Sequence, residues 1–203
     1  QRLWFLHQYL ERSAVSNIPL ALRLRGPLDS DALIASLQAI VARHEALRTR
    51  FAGQGDNAVQ VIDAPALSLV METSNNPAQL QALVQQEQRY LFDLHRDMLC
   101  RIRLIRDESD TSHVLLVTLH HSVADAWSLN IFFRELRQLY QAFRQGLESP
   151  LPPLPIQYAD FAHWQRQPEQ EAAQLEQAAY WREQLAGLPP LLRLPCDYPR
   201  PST

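Results

Sequence analysis

The stretch HVLLVTLH at residues 113–120 is apolar at successive positions rather than at alternate ones. A β-strand turns consecutive side chains to opposite faces, so such a run is satisfied only where both faces are covered. It therefore predicts a central strand with material packed on each side, and a chain containing it must build layers around a sheet. The strand's end is chemically unusual for that setting. Residues 119–128 read LHHSVADAWS, which puts two adjacent histidines and an aspartate where the apolar run stops.

The flanking patterns supply the other layers. LALRLR at 20–25 alternates like a half-buried strand and is ended by Gly26-Pro27. Asp29 or Ser30 then caps a helix whose apolar positions Leu33, Leu37, Ile40, Val41 and His44 keep a helical period to about residue 46. LRTRF and AVQVI predict a hairpin around the turn-rich AGQGDN. A helix is expected from Pro77 to Phe92, with proline in its first turn, followed by a strand CRIRLIR at 100–106 that leads into the central strand through DESDTS. Leu129, Phe132, Phe133, Leu136, Tyr140, Phe143 and Leu147 describe a strongly amphipathic helix that stops near Gly146. Prolines in SPLPPLPIQ force an extended crossing. A short helix over YADFAHWQRQ and another from about 170 to Leu185, closed by Gly187, come next. The tail LPPLLRLPCDYPRPST has no period and reads as a linker. Helices mix with strands without strict alternation, so the fold class is mixed α/β (α+β).

Composition narrows the chemistry. With 46% hydrophobic and 20% charged residues and a formal charge of -3, the chain has no basic surplus for neutralising phosphates, so no nucleic acid is expected as a partner. No apolar run approaches a membrane span and the first residues lack a signal-peptide pattern, which makes a cytoplasmic address the expectation. All 19 basic residues are arginine, removing Schiff-base lysine and the Walker A lysine together. Cys100 and Cys196 lie far apart without a CxxC partner and read as ordinary thiols.

If the central strand persists through residue 121, His120 shares a face with Thr118 and Leu116, while His121 shares one with Leu119 and Val117. The two imidazoles then cannot enter one pocket. Three readings stay open on the residues alone. The histidines can be satisfied strand-end residues with Asp125 as a helix N-cap. His-x-x-x-Asp can ligate a metal, although no third ligand is adjacent. One histidine can serve as a general acid or base, with the carboxylate fixing the loop. Elsewhere, His44 reads as a buried, hydrogen-bonded residue, Arg101, Arg103 and Arg106 as solvated or carboxylate-paired, and Trp4, Trp127, Trp164 and Trp181 as core.

HHSVADAWS resembles the HHxxxDGWS signature of condensation domains of nonribosomal peptide synthetases, members of the chloramphenicol-acetyltransferase-like superfamily. Further stretches match that family's pattern in its order. They are QRLWFL at 1–6, RHEALRTRF at 43–51, YADFAHWQ at 158–165 and YWREQLAGLPPLLRLPCDYPRP at 180–201. The resemblance covers essentially the whole chain. It implies a two-layer sandwich forming one lobe of a chloramphenicol-acetyltransferase-like fold, with residues 1–190 as the N-terminal lobe, 191–203 as the interlobe linker, and the C-terminal lobe absent.

The implied reaction is amide formation, in which an acceptor's α-amine attacks a donor thioester. Both substrates ride on the 4'-phosphopantetheine arms of donor and acceptor carrier proteins, and the lobe itself binds no cofactor and no metal. Further implied partners are the C-terminal lobe and a neighbouring adenylation domain. The setting is biosynthesis of a peptide antibiotic or siderophore. By the same resemblance His121 reaches the amine, His120 supports the loop and Asp125 holds it through a salt bridge to Arg48, favoured over Arg43. Ala126, Trp127 and Ser128 complete the site's support.

Ala126 stands where the family has glycine, so a turn requiring positive φ would be strained there. Asp97-Met98 replaces a usual Gly-Pro. His120 departs from heterocyclisation domains, and WSLNIFFREL is more similar to condensation than to epimerisation domains. The lobe alone is expected to be inactive. The alternative is a noncatalytic carrier-protein docking module derived from a condensation domain.

Overall fold

A computed structural model describes Trp4 and residues 13–53, 58–108, 112–189, 195, 197 and 198. The chain divides into two compact units, Gln1–Ala159 and Asp160–Thr203.

In the first unit, β1 (Asn17–Leu24), β4 (Leu69–Ser74), β5 (Cys100–Asp107) and β6 (Ser112–His120) form one sheet in the order β1-β6-β5-β4. β6 runs antiparallel to both neighbours, pairing Leu20 with Val117 on one side and Ile102 with Val117 on the other. The uninterrupted apolar stretch is thus a central strand. β4 and β5 are parallel, and α2 (Pro77–Gln88) makes the crossover that a parallel pair requires.

The pleat divides the core. Leu115, Val117 and Leu119 of β6, with Ile102 and Leu104 of β5, meet α1 (Ser30–Arg43) and α3 (Ala126–Phe143) through Leu37, Ile40, Phe132 and Leu139. On the opposite face, Val114, Leu116 and Ile105 receive Leu80, Leu83 and Val84 of α2. The sheet and the α1/α3 layer make the expected sandwich, and α2 adds a cover behind it. Local chemistry sets the helix starts. Asp29 accepts from the Ala32 N–H at 2.9 Å, and Asn76 accepts from the Gln79 N–H at 2.9 Å ahead of Pro77.

The predicted hairpin is β2 (Thr49–Ala52) with β3 (Val59–Ile62), antiparallel. Strand β4 is an addition to the expected elements. Its sequence LVMETS is only partly buried and lacks clean alternation, so its place at the sheet edge comes from pairing with β5 rather than from its own pattern. α1 also ends earlier than its apolar period suggests: His44 caps it, and a 3₁₀ turn follows at Glu45–Arg48. As expected, His44 is hydrogen-bonded, its Nε2 lying 2.6 Å from Glu135 of α3, though it is half-buried.

Arg103 is buried and, with Arg101, takes Glu87 of α2 as a carboxylate partner, whereas Arg106 is exposed. Cys100 is buried, and desolvation pushes its thiol up to about 12, which keeps it in the neutral thiol form. Cys196 lies outside the described residues.

The second unit holds most of α4 (Tyr158–Trp164) and all of α5 (Pro168–Gln184), neither of which buries a residue. Three tryptophans therefore depart from the expected core positions. Trp164 and Trp181 lie on these helices and are each about half exposed, and Trp127, in the first turn of α3, is 77% exposed. Trp4 is buried as expected. The proposed linker at 191–203 falls almost wholly outside the described residues. No helix among the described residues is long and apolar enough to cross a membrane.

Candidate functional site

Strand β6 delivers His120 into the interior. Its N–H donates to the Leu99 carbonyl at 3.0 Å, it pairs with Asn17 of β1, and its ring is 1% exposed. Phe92 meets that ring edge to face, with centroids 6.0 Å apart and planes at 77°. The chain then turns. The Val123 N–H donates to the His120 carbonyl at 3.0 Å, closing a four-residue turn over 120–123.

His121 is the first residue of the turn beyond the strand. Its N–H donates to the Ser16 carbonyl at 2.8 Å, and its side chain is exposed, with no hydrogen-bond partner among the described residues. β6 stops at His120 and does not persist through residue 121, and the two rings part at the turn: one is buried, and its neighbour stands at the surface.

Asp125 caps α3. Its Oδ1 accepts from the Ser128 N–H at 2.8 Å and from the Ser128 hydroxyl at 2.7 Å, while the Asp125 N–H donates to Ser128 Oγ at 3.2 Å. This reciprocal capping box satisfies donors that the helix start would otherwise leave open. The Ser128 N–H, then the Ser128 hydroxyl, hold the Asp125 carboxyl below its ordinary value, with His121 adding a smaller favourable charge.

The expected ion pair between Asp125 and Arg48 is not formed. Arg48 instead lies 3.5 Å from Glu45, three residues back, and donates to the Asp63 carbonyl at 2.6 Å, fifteen residues on. Arg43 is taken by Glu135 at 3.4 Å and by the Pro152 carbonyl. The physical reason is local satisfaction. A carboxylate one residue ahead of a long helix finds N–H and O–H donors within three positions, and an arginine in the 3₁₀ turn before β2 finds acceptors in that turn and just past the end of β3.

Ala126 also departs from expectation. It is the first residue of α3, where right-handed helical backbone suits alanine, so the strain anticipated for a positive-φ turn does not arise. Ser128 supports the site through Asp125, while Trp127 leaves its indole in solvent. Among the described residues, no group of three or more histidine, cysteine, aspartate or glutamate side chains could hold a metal ion.

Three contributors lie outside the expected set: Ser16, Ser122 and Phe92. Ser122 falls within the motif but carries no signal of its own. Phe92 is 28 positions before His120 and reaches it only because its segment packs beside the end of β6. Together the arrangement offers an exposed imidazole on a pinned backbone, beside a carboxylate and the start of a helix. It can accept a hydrogen bond or a proton from a nucleophile brought to the surface.

Comparison with known proteins finds that the family described as Condensation domain matches residues 1–203. One of the linear gramicidin synthase proteins of Brevibacillus parabrevis is 45% identical over 210 residues, which cover 100% of this chain and 3% of that protein. Chondramide synthase cmdD of Chondromyces crocatus is 40% identical over 209 residues, covering 100% of this chain and 5% of that protein. The chain therefore spans only a small fraction of the length of these relatives.

Among solved structures, the X-domain from teicoplanin biosynthesis is 38% identical with a TM-score of 0.82, covering 98% of this chain and 45% of that one. The same domain in complex with OxyB matches at 39% identity and a TM-score of 0.80, again covering 98% and 45%. The starter condensation domain of rhizomide synthetase shares the fold at 19% identity and a TM-score of 0.79, over 93% of this chain and 47% of that one.

Proposed function

The chain belongs to the condensation-domain family, and from that premise we propose that it supplies the histidine-bearing part of an amide-forming site. The donor is an acyl or peptidyl thioester and the acceptor an aminoacyl thioester, each carried on the phosphopantetheine arm of a carrier protein. The named relatives that support this setting are synthases of linear gramicidin and chondramide.

In the proposed step the acceptor nitrogen forms a bond to the donor carbonyl carbon, the carbon–sulfur bond breaks, and the nitrogen's proton passes to the departing thiolate. His121 orients the amine and relays that proton. An α-amine with a pKa of about 7.7–8.0 is already roughly one-tenth neutral at pH 7, so removing its proton beforehand supplies only about 1 kcal/mol. Orientation and late proton transfer contribute more, since the nitrogen becomes far more acidic once it has attacked.

The observation that carries this reading is the exposed His121 ring on a backbone pinned by Ser16 and by the buried His120. The test replaces His121 with alanine in an intact synthetase module and measures the condensed product on the acceptor carrier. A loss of at least about tenfold, with carrier binding retained, is expected; undiminished product formation would refute the assignment. A second reading, a docking module without turnover, is favoured by the two X-domain structures, one of them a complex with another protein. Binding of a partner with no product from the unmodified module would select it.

A further inference from the structure

Resting on the role of His121 given above, we propose that Ser122 is a positioning residue of the condensation site. It acts through Nδ1 of His120 to hold the turn from which the His121 imidazole projects.

The bonding fixes what His120 must be. A backbone N–H can only donate, and that of Ser122 lies 3.2 Å from His120 Nδ1. In a neutral imidazole one ring nitrogen accepts and the other carries the proton, so Nδ1 is the acceptor and Nε2 bears the hydrogen. The Ser122 hydroxyl, 2.7 Å from the same atom, then donates as well, and is the shorter of the two contacts. One residue thus fastens itself to a single ring nitrogen by two donors.

The atom it fastens to is rigid. The His120 ring is 1% exposed, Phe92 stands edge-on against it, and its backbone is tied to Leu99. Phe92 is itself braced by Tyr90 at a centroid distance of 5.0 Å, and the Arg101 guanidinium lies 4.3 Å over the Tyr90 ring. His121 is therefore the one residue between two anchors. Behind it is a locked imidazole, and ahead of it a serine tied back to that same imidazole.

Two backbone bonds also hold this turn, from the His121 N–H to Ser16 and from the Val123 N–H to the His120 carbonyl, but neither ties it to the buried ring. Packing alone does not call for a hydroxyl at this half-buried turn position. Without it, the shorter of the two Ser122 contacts to Nδ1 is lost, and the tie between the turn and the buried ring weakens. An error of about 1 Å in placing a catalytic group can cost about a hundredfold in rate.

The experiment compares His121→Ala, Ser122→Ala and Ser122→Thr in an intact synthetase module, reading kcat and the KM for the loaded acceptor carrier. Ser122→Ala is expected to lower kcat by about tenfold or more while KM stays within about twofold, and Ser122→Thr, which keeps the hydroxyl, to restore most of the rate. Should the alanine variant fail to fold, Ser122→Cys, similar in size and a weak donor, is expected to show the same fall in kcat. Full turnover in Ser122→Ala or Ser122→Cys, a change confined to KM, or failure of threonine to restore kcat would overturn the positioning role. A fully active His121→Ala would instead remove the reading on which it rests. An inactive His121→Ala beside a fully active Ser122→Ala would remove the positioning role alone.

Discussion

Asp125 acts within three residues of itself. Its carboxylate caps α3 through Ser128, and replacing such a cap by alanine costs about 0.5–2 kcal/mol. Asp125→Ala is therefore expected to unfold at lower urea concentration, while Asp125→Asn, which can still accept from the helix N–H groups, keeps most of the stability at pH 7. The folded carboxyl sits below its ordinary value, so its ionised form stabilises the native state above the unfolded value of about 3.9, and that contribution is lost as pH falls through the folded value. The stability gap between the parent and Asp125→Asn should accordingly close in acid; a gap that widened on acidification would contradict this cap. The residues allow an N-cap role for Asp125, and the geometry shows that role while leaving the part played by His121 open. The Arg48 pair rests only on family resemblance. It is not decidable from sequence because the competing acceptors, Glu45 and the Asp63 carbonyl, become neighbours only once the 3₁₀ turn and β2 are built.

At the scale of elements, β6 is legible because nothing but burial on both faces satisfies HVLLVTLH, and its central place between β1 and β5 follows. Strand β4 is not, since a short, half-buried edge strand carries too few apolar positions to show a period. Charge explains how α2 is tied to the sheet. Glu87 is 3% exposed and receives Arg101 Nε at 3.1 Å and Arg103 Nη1 at 3.2 Å. Arginine at 101 and 103 is visible in the sequence, but the identity of the carboxylate depends on the crossover that lays α2 over β5. Removing one member of a buried pair strands the other charges, at about 3–5 kcal/mol. Glu87→Gln should destabilise the chain by that order in urea unfolding, and Glu87→Gln with Arg103→Leu should recover part of the loss. A single substitution that left the midpoint unmoved would show that this network is dispensable.

Across the molecule, the two units differ in what they do with apolar side chains. The first buries its own around β6, whereas α5 of the second leaves Leu175, Tyr180 and Trp181 each more than half exposed, as is Leu185 just past its end. Tyr180 and Trp181 meet edge to face with centroids 5.4 Å apart, and Leu185 lies one helical turn beyond Trp181. Sequence periodicity assumes that each tryptophan finds a core, and it cannot register that α5 buries none of its side chains. Apolar surface gathered on one helix lowers its free energy by meeting another such surface. The 203-residue chain by itself is therefore expected to self-associate, with a sedimentation coefficient that rises over a concentration series. Trp181→Glu combined with Leu185→Glu should abolish that rise, because each added carboxylate would have to be desolvated in any contact formed through this face. The double variant should leave urea unfolding of the β6-centred unit unchanged, since neither side chain is buried. Sedimentation independent of concentration in the parent, or association undiminished by the two glutamates, would show that this face is not the adhesive one.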